Sequence, residues 1–396
     1  MIDYALADQA KLPAPWTRRQ VLAAGLATAG TFALAACTPN PTRGATGAGT
    51  PLPSSEAELM PIDFIAALPK AELHVHLEGT IEPADMFRYA ERNGLALPWA
   101  SEEDLRAAYS YTGLDDFLAL LWEGCRVLTT REDFYDLTMT YLQRVSAQGV
   151  VRAEMSYAPH NFLPRGISID DQIGGITDAI TDARTDLGID GALLVGVQRH
   201  RTEAEGFELL DLIRPHRESL LGISLGGPEV DNPPSKFARL YAAARNEGYR
   251  LTAHAGEEAP PSYITQALDE CHVDRIDHGY TAFEDPGLVA RLADEGVPVT
   301  MCPLSNLRLQ VTDDLSTYPL TDYLNAGVNV SVNSDDPPYF GGYVNENFEA
   351  LAEHLDLGRP ELTTLARNSF TGSFGSTTQI DAGLAAVDEY ERTWSS

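Results

Sequence analysis

From Lys70 onward, short apolar runs alternate with longer stretches in which apolar residues return every three or four positions. Eight runs stand out, at residues 71–76, 150–157, 193–198, 221–225, 250–255, 275–278, 298–301 and 328–333. Such runs suit parallel strands buried on both faces, and the amphipathic stretches between them suit helices that cover those strands. In residues 131–147, for example, Thr130 can cap the first turn, and Phe134, Leu137, Tyr141 and Val145 recur at helical spacing. Eight βα units over roughly 270 residues predict an α/β fold of the (β/α)8 TIM barrel type, whose chemistry sits at the carboxyl ends of the strands. Residues 81–128 exceed what one βα unit needs, which predicts a helical insertion after the first strand. No glycine-rich dinucleotide fingerprint follows the first run, so an open doubly wound sheet loses its usual purpose.

Ahead of the barrel the pattern changes. Thr17-Arg18-Arg19-Gln20-Val21-Leu22 is a twin-arginine pattern, and an uncharged stretch rich in Ala, Leu and Gly follows from Val21 to Ala36. That stretch is short for a bilayer span, so an export signal is expected rather than a permanent transmembrane helix. Leu34-Ala35-Ala36-Cys37 resembles a lipoprotein cleavage box, against the alternative that Cys37 is incidental in an Ala-rich stretch. Residues 1–37 then form a lipoprotein signal peptide, 38–60 a flexible linker of Pro, Thr, Gly and Ser, and 61–396 the barrel domain. The expected location is the outer side of the cytoplasmic membrane, reached through a lipid on Cys37 alone.

Composition narrows the partners. The 28 Lys and Arg stand against 58 Asp and Glu, a net charge of -30, which repels phosphate backbones and disfavours nucleic acid. Cys125, Cys271 and Cys302 show no paired short spacing, so neither a zinc knot nor a disulfide framework is expected, although a single bridge stays open.

The candidate chemistry collects at the ends of the runs. His74 and His76 close the first run, and residues two apart on a strand point the same way, so both imidazoles can reach one ion. His254-Ala255-Gly256-Glu257 closes the fifth run, His278 ends the sixth, and Asp335-Asp336 follows the eighth. In a closed barrel these ends converge on one mouth, where three His and a carboxylate make a shell for zinc. Glu257 could instead be a surface acid beside Glu258, and Asp336 could cap the following helix. Ser305 and Asn306 read as turn formers, Cys302 as a small buried residue, and His160, His200 and His272 as ordinary hydrogen-bonded or surface histidines.

The segment Pro69-Lys70-Ala71-Glu72-Leu73-His74-Val75-His76-Leu77-Glu78-Gly79, the box from His254 to Glu257 and Ser334-Asp335-Asp336-Pro337 together resemble the adenosine/adenine deaminase family, over roughly residues 62 to 375. The resemblance implies one zinc ion per chain on His74, His76, His254 and Asp335. It implies a small-molecule purine as substrate, with Glu257 as proton donor to ring N1 and His278 orienting the attacking water. It also implies that Asp336 bonds N7 and that the backbone N–H of Gly227 bonds N3. Glu78, where adenosine-specific members carry Asp, and the run Phe340-Gly341-Gly342-Tyr343-Val344 lean towards adenine or a 6-substituted adenine. Gly227, where many adenine-type members carry Ser, leans towards adenosine. Other barrel metallohydrolases are the alternative enzymes. Many of them bridge two metals with a modified lysine, and Lys11, Lys70 and Lys236 all lie away from the strand carboxyl ends in this reading. A lipid-anchored purine-binding protein is the alternative without catalysis.

Overall fold

A computed structural model describes residues 61–394. The leader, the linker and Cys37 lie outside the described residues. Eight parallel strands form one sheet in sequential order: β1 (Lys70–His76), β2 (Val150–Tyr157), β3 (Asp190–Gln198), β4 (Gly222–Gly226), β5 (Arg250–Ala255), β6 (Arg275–His278), β7 (Val299–Met301) and β8 (Val330–Val332). Helices connect them, as an α/β barrel requires. Among the described residues no helix is long and apolar enough to cross a membrane.

The helix Arg131–Ser146 forms for the reasons its sequence gives. Thr130 accepts from the Asp133 N–H, Asp133 caps in return, and Phe134, Leu137, Tyr141 and Val145 are all buried. Between β1 and this helix lie Pro83–Arg92, Glu102–Ala107 and Leu114–Gly124. The last turns Phe117, Leu118 and Leu121 inward.

β8 is shorter than its apolar run, because a tight turn from Val328 to Val330 delays its start. Side chains stitch the seam with β1 instead. Leu73 N–H donates to Asn333 Oδ1 at 2.8 Å, and Ser334 N–H donates to Glu72 Oε1 at 3.1 Å. Backbone pairing resumes only at the rim, where His76 N–H reaches the Asp335 carbonyl at 2.9 Å and Asp335 N–H reaches that of His74 at 3.1 Å. The closure of the barrel therefore fixes Asp335 beside the two β1 histidines.

The opposite end is plugged by charge. Arg275 and Glu154 are fully buried and paired at 2.6 Å, with Arg152 on the other Glu154 oxygen at 2.8 Å and Phe374 stacked under the Arg275 guanidinium. Lys70 starts β1 at this end, donating to the Gln148 carbonyl at 2.7 Å and to Asn345 Oδ1 at 2.8 Å. Burial brings its pKa down to about 7. It holds the barrel floor, far from the strand carboxyl ends.

Candidate metal centre and active site

Four ligand atoms from three strand ends meet in the mouth of the barrel. Nε2 of His254 lies 3.0 Å from Nε2 of His76 and 3.2 Å from that of His74, and Asp335 Oδ1 lies 3.2 and 3.4 Å from the same two histidines. Each of these four residues has a donor atom within 4.8 Å of the other three. The four shortest separations fit the edges of a tetrahedron, roughly 3.3 Å for metal bonds of about 2.0–2.1 Å. Three imidazole nitrogens crowded this closely are not satisfied by hydrogen bonds among themselves, whereas a cation between them accepts every lone pair. Burial and the neighbouring His74, His278 and His76 push the His254 pKa well down. At His76 burial is outweighed by the charges of Asp336, Asp335 and Glu78, which raise its pKa to about 10, a demand for positive charge that a metal ion meets. Burial alone would raise the Asp335 carboxyl, but the surrounding histidines outweigh it and hold the group well below its ordinary range. The residues present fit a single zinc ion.

Asp335 and His278 both have positive φ, at 63° and 65°. Side chains at such angles cost energy, and folds tend to retain them where geometry serves a site. His278 is buried with neither ring nitrogen hydrogen-bonded, 3.6 Å from Glu257 Oε1 and 3.8 Å from Asp335 Oδ2. Those gaps suit a small molecule held between the three groups. Burial, with the charge of His74 nearby, brings the His278 pKa down to about 3, so the ring is neutral.

Glu257 is 2% exposed, which removes its reading as a surface acid. Burial, with the negative charges of Asp335, Glu229 and Glu258, pushes its pKa well up and keeps it protonated. Asp336 precedes the helix Pro337–Phe340 but makes no capping bond, and its Oδ1 has no partner. Burial, the Asp335 charge and a bond to Asp335 raise it well above its ordinary value. A Cβ on Gly79 would lie 1.7 Å from Asp336 Oδ1, so only glycine there leaves room for this carboxyl. Gly227 has φ 95° beside the cavity, a conformation that favours glycine. Glu78 is buried, with Oε1 accepting from Ala158 N–H at 2.9 Å and from Asn161 Nδ2 at 3.1 Å, while Oε2 has no partner.

All nine residues expected from the sequence thus meet at one end of the barrel: eight line a cavity whose far wall is Leu114, Phe117, Leu118, Leu121 and Trp122, and His74 joins them through the ligand cluster. The sequence reading missed this apolar wall, although its helical spacing was visible. It also missed Thr300 and Asp277: His74 Nδ1 lies 3.0 Å from Thr300 Oγ1, which donates to Asp277 Oδ1 at 3.1 Å. Asp277 Oδ2 is in turn 3.8 Å from the otherwise unpartnered His254 Nδ1. Ser305 and Asn306 are not turn formers. They are buried in the helix Pro303–Arg308, whose backbone bonds absorb them, and Asn306 accepts from the Tyr318 hydroxyl at 2.7 Å. Cys125, Cys271 and Cys302 are each buried and free. His200 packs on Trp122, with ring centroids 5.4 Å apart.

A family profile described as adenosine deaminase matches residues 69–390. An adenine deaminase of Sphingopyxis alaskensis is 50% identical over 327 residues, covering 83% of this chain and 96% of that protein. One from Rhodospirillum rubrum is 48% identical over 328 residues, covering 82% and 98%. Among solved structures, adenine deaminase from Arthrobacter aurescens aligns with a TM-score of 0.81 at 45% identity, over 82% of this chain and 100% of that one. An amidohydrolase from Burkholderia ambifaria with bound zinc aligns with a TM-score of 0.78 at 28% identity, over 85% and 95%. The profile spans most of the chain and two relatives are near half identical over nearly their whole lengths, so the chain belongs to the adenosine deaminase family.

Proposed function

We propose that the protein hydrolyses the 6-amino group of adenine, taking up water and releasing ammonia and hypoxanthine, with one zinc ion on His74, His76, His254 and Asp335. The observation that carries this reading is the placement of Glu257, a buried carboxyl 3.6 Å from His278 and beside a cluster built for a divalent cation, with its pKa pushed well up by burial. Zinc bound there supplies Lewis acidity that brings the pKa of a water from 15.7 to about 7. The chain's own residues do the rest. Glu257 donates its proton to N1 as C6 becomes tetrahedral, which relieves the charge pushed onto the ring. His278, neutral and with both ring nitrogens free, orients the attacking water, one of whose protons restores Glu257 while the other passes to the 6-amino group as the C6–N6 bond breaks and ammonia leaves. Asp336, held protonated, donates to N7, and the Gly227 N–H donates to N3.

Glu78 favours the free base. Its unpartnered Oε2 calls for a donor, because a buried unpaired oxygen costs about 1–3 kcal/mol, and the imidazole N–H of adenine is one. A nucleoside carries ribose on that nitrogen. Both near-half-identical relatives bear the name adenine deaminase, which supports the same choice. Comparing kcat/KM for adenine and adenosine, on the wild type and on Glu78→Asp, tests it. Adenine is expected to lead in the wild type, with the gap narrowing in Glu78→Asp. A tenfold preference for adenosine would overturn the choice of substrate, and zinc-loaded protein that releases no ammonia from either would overturn the activity. The twin-arginine leader and Cys37 carry a second part of the proposal, export and lipid anchoring.

A further inference from the structure

Glu229 lies two residues beyond Gly227 in the loop after β4 and is fully buried. Its carboxylate accepts four consecutive backbone N–H groups from the loop after β5: Gly256 at 2.7 Å on Oε1, then Glu257 at 2.9 Å, Glu258 at 2.8 Å and Ala259 at 2.9 Å on Oε2. Arg199 Nη1 lies 3.8 Å from Oε1 and itself donates to the His254 carbonyl at 2.8 Å, while Arg199 Nε donates to the Asn232 carbonyl at 2.9 Å. One side chain from the β4 loop therefore satisfies the β5 loop at the residue that bears the acid.

Buried N–H groups need acceptors, and a loop's own carbonyls cannot always reach them. That alone would make Glu229 a structural residue. Its place between the two loops gives it more to do, because Gly227 at one end faces the cavity and Glu257 at the other end does too. We propose that Glu229 is a positioning residue, which sets the Glu257 carboxyl against the purine held by the β4 loop through its four bonds to the peptide groups of residues 256–259. The inference rests on the reading of Glu257 as the proton donor. A shift of about 1 Å in a reacting group can cost on the order of 10²-fold in rate, so a carboxylate that fixes this loop controls kcat without touching substrate.

The test is a double-mutant cycle on zinc-loaded protein. Glu229→Gln keeps one acceptor but turns an NH2 group towards N–H donors, and Glu229→Asp keeps the charge but draws the carboxylate back. Each is combined with Glu257→Gln, and kcat, zinc content and thermal stability are measured. Glu229→Gln is expected to lower kcat on the order of 10²-fold with zinc retained. In the Glu257→Gln background the same change should cost less than about threefold, because a residue that acts through another has nothing left to position. Equal losses in both backgrounds would show a general structural role and overturn the proposal, as would undiminished kcat in Glu229→Gln. If that variant does not fold, Glu229→Asp carries the cycle. Failure of both to fold or to hold zinc would assign Glu229 to the stability of the rim and likewise overturn it. A fully active Glu257→Gln would instead remove the reading of Glu257, a separate outcome visible in the single variant.

Discussion

A carboxyl group buried among carboxylates, as Glu257 is beside Asp335, Glu229 and Glu258, keeps its proton in the folded protein long after it would have lost it in water. The folded state then binds more protons than the unfolded state above the ordinary carboxyl value of about 4.5, so stability falls as pH rises from there through the folded pKa. Glu257→Gln removes that cost. In metal-free protein the variant should unfold at a higher temperature than the wild type at pH 8, with the difference closing as pH falls towards 4.5. Identical pH slopes for the two would mean that Glu257 ionises normally in the fold. The same variant should retain zinc and lose activity by about a factor of a thousand, measured as ammonia release. His254→Ala should do the reverse in the metal assay and lower zinc occupancy on gentle purification. Unchanged occupancy would remove His254 from the ligand set.

At the scale of elements, strand ends act as carriers and their neighbours decide orientation. His74 projects from β1, but the direction of its ring is set by Thr300 on β7, and Thr300 is set by Asp277 on β6. Since Thr300 Oγ1 donates to Asp277, it accepts from His74 Nδ1–H, which leaves Nε2 for the ion. Thr300→Val keeps the shape and removes both bonds. Zinc affinity, measured by chelator competition, should fall roughly 10- to 100-fold and return in Thr300→Ser. Equal affinities in all three forms would deny Thr300 this role. The strands themselves were legible because eight apolar runs, alternating with amphipathic stretches, are a local pattern. The helix Arg131–Ser146 was legible down to its cap for the same reason. The seam between β1 and β8 was not, because Asn333 and Glu72 replace backbone pairing there and are far apart in the chain.

Across the whole molecule, the two ends of the barrel are built oppositely. The mouth gathers histidines and carboxyls around a cavity, and the floor is closed by Arg275, Glu154 and Arg152 without water-facing charge. Removing one partner of a buried pair leaves the other unmatched, so Glu154→Gln should lower unfolding free energy by about 3–5 kcal/mol in denaturant titrations. Folded protein should still take up zinc, since no ligand touches the floor. A loss below about 1 kcal/mol would mean that Arg275 is satisfied by the carbonyl of Leu73, 3.0 Å away. Outside the described residues, Cys37→Ala should release the protein from the membrane fraction if the leader acts as proposed. Retention at the membrane would point to another anchor.

The sequence alone determined the succession of strands and helices, the barrel they imply and the four candidate ligands at three strand ends. Each of these rests on residues a few positions apart. Tertiary structure decided that Glu257 is buried with its pKa pushed well up, that Asp336 leaves its helix uncapped and that Glu229 takes four N–H groups from a neighbouring loop. Burial and proton occupancy depend on which charges and dipoles from distant segments are brought within a few ångströms in a medium without water. That is a property of the folded barrel and of no stretch of the chain by itself.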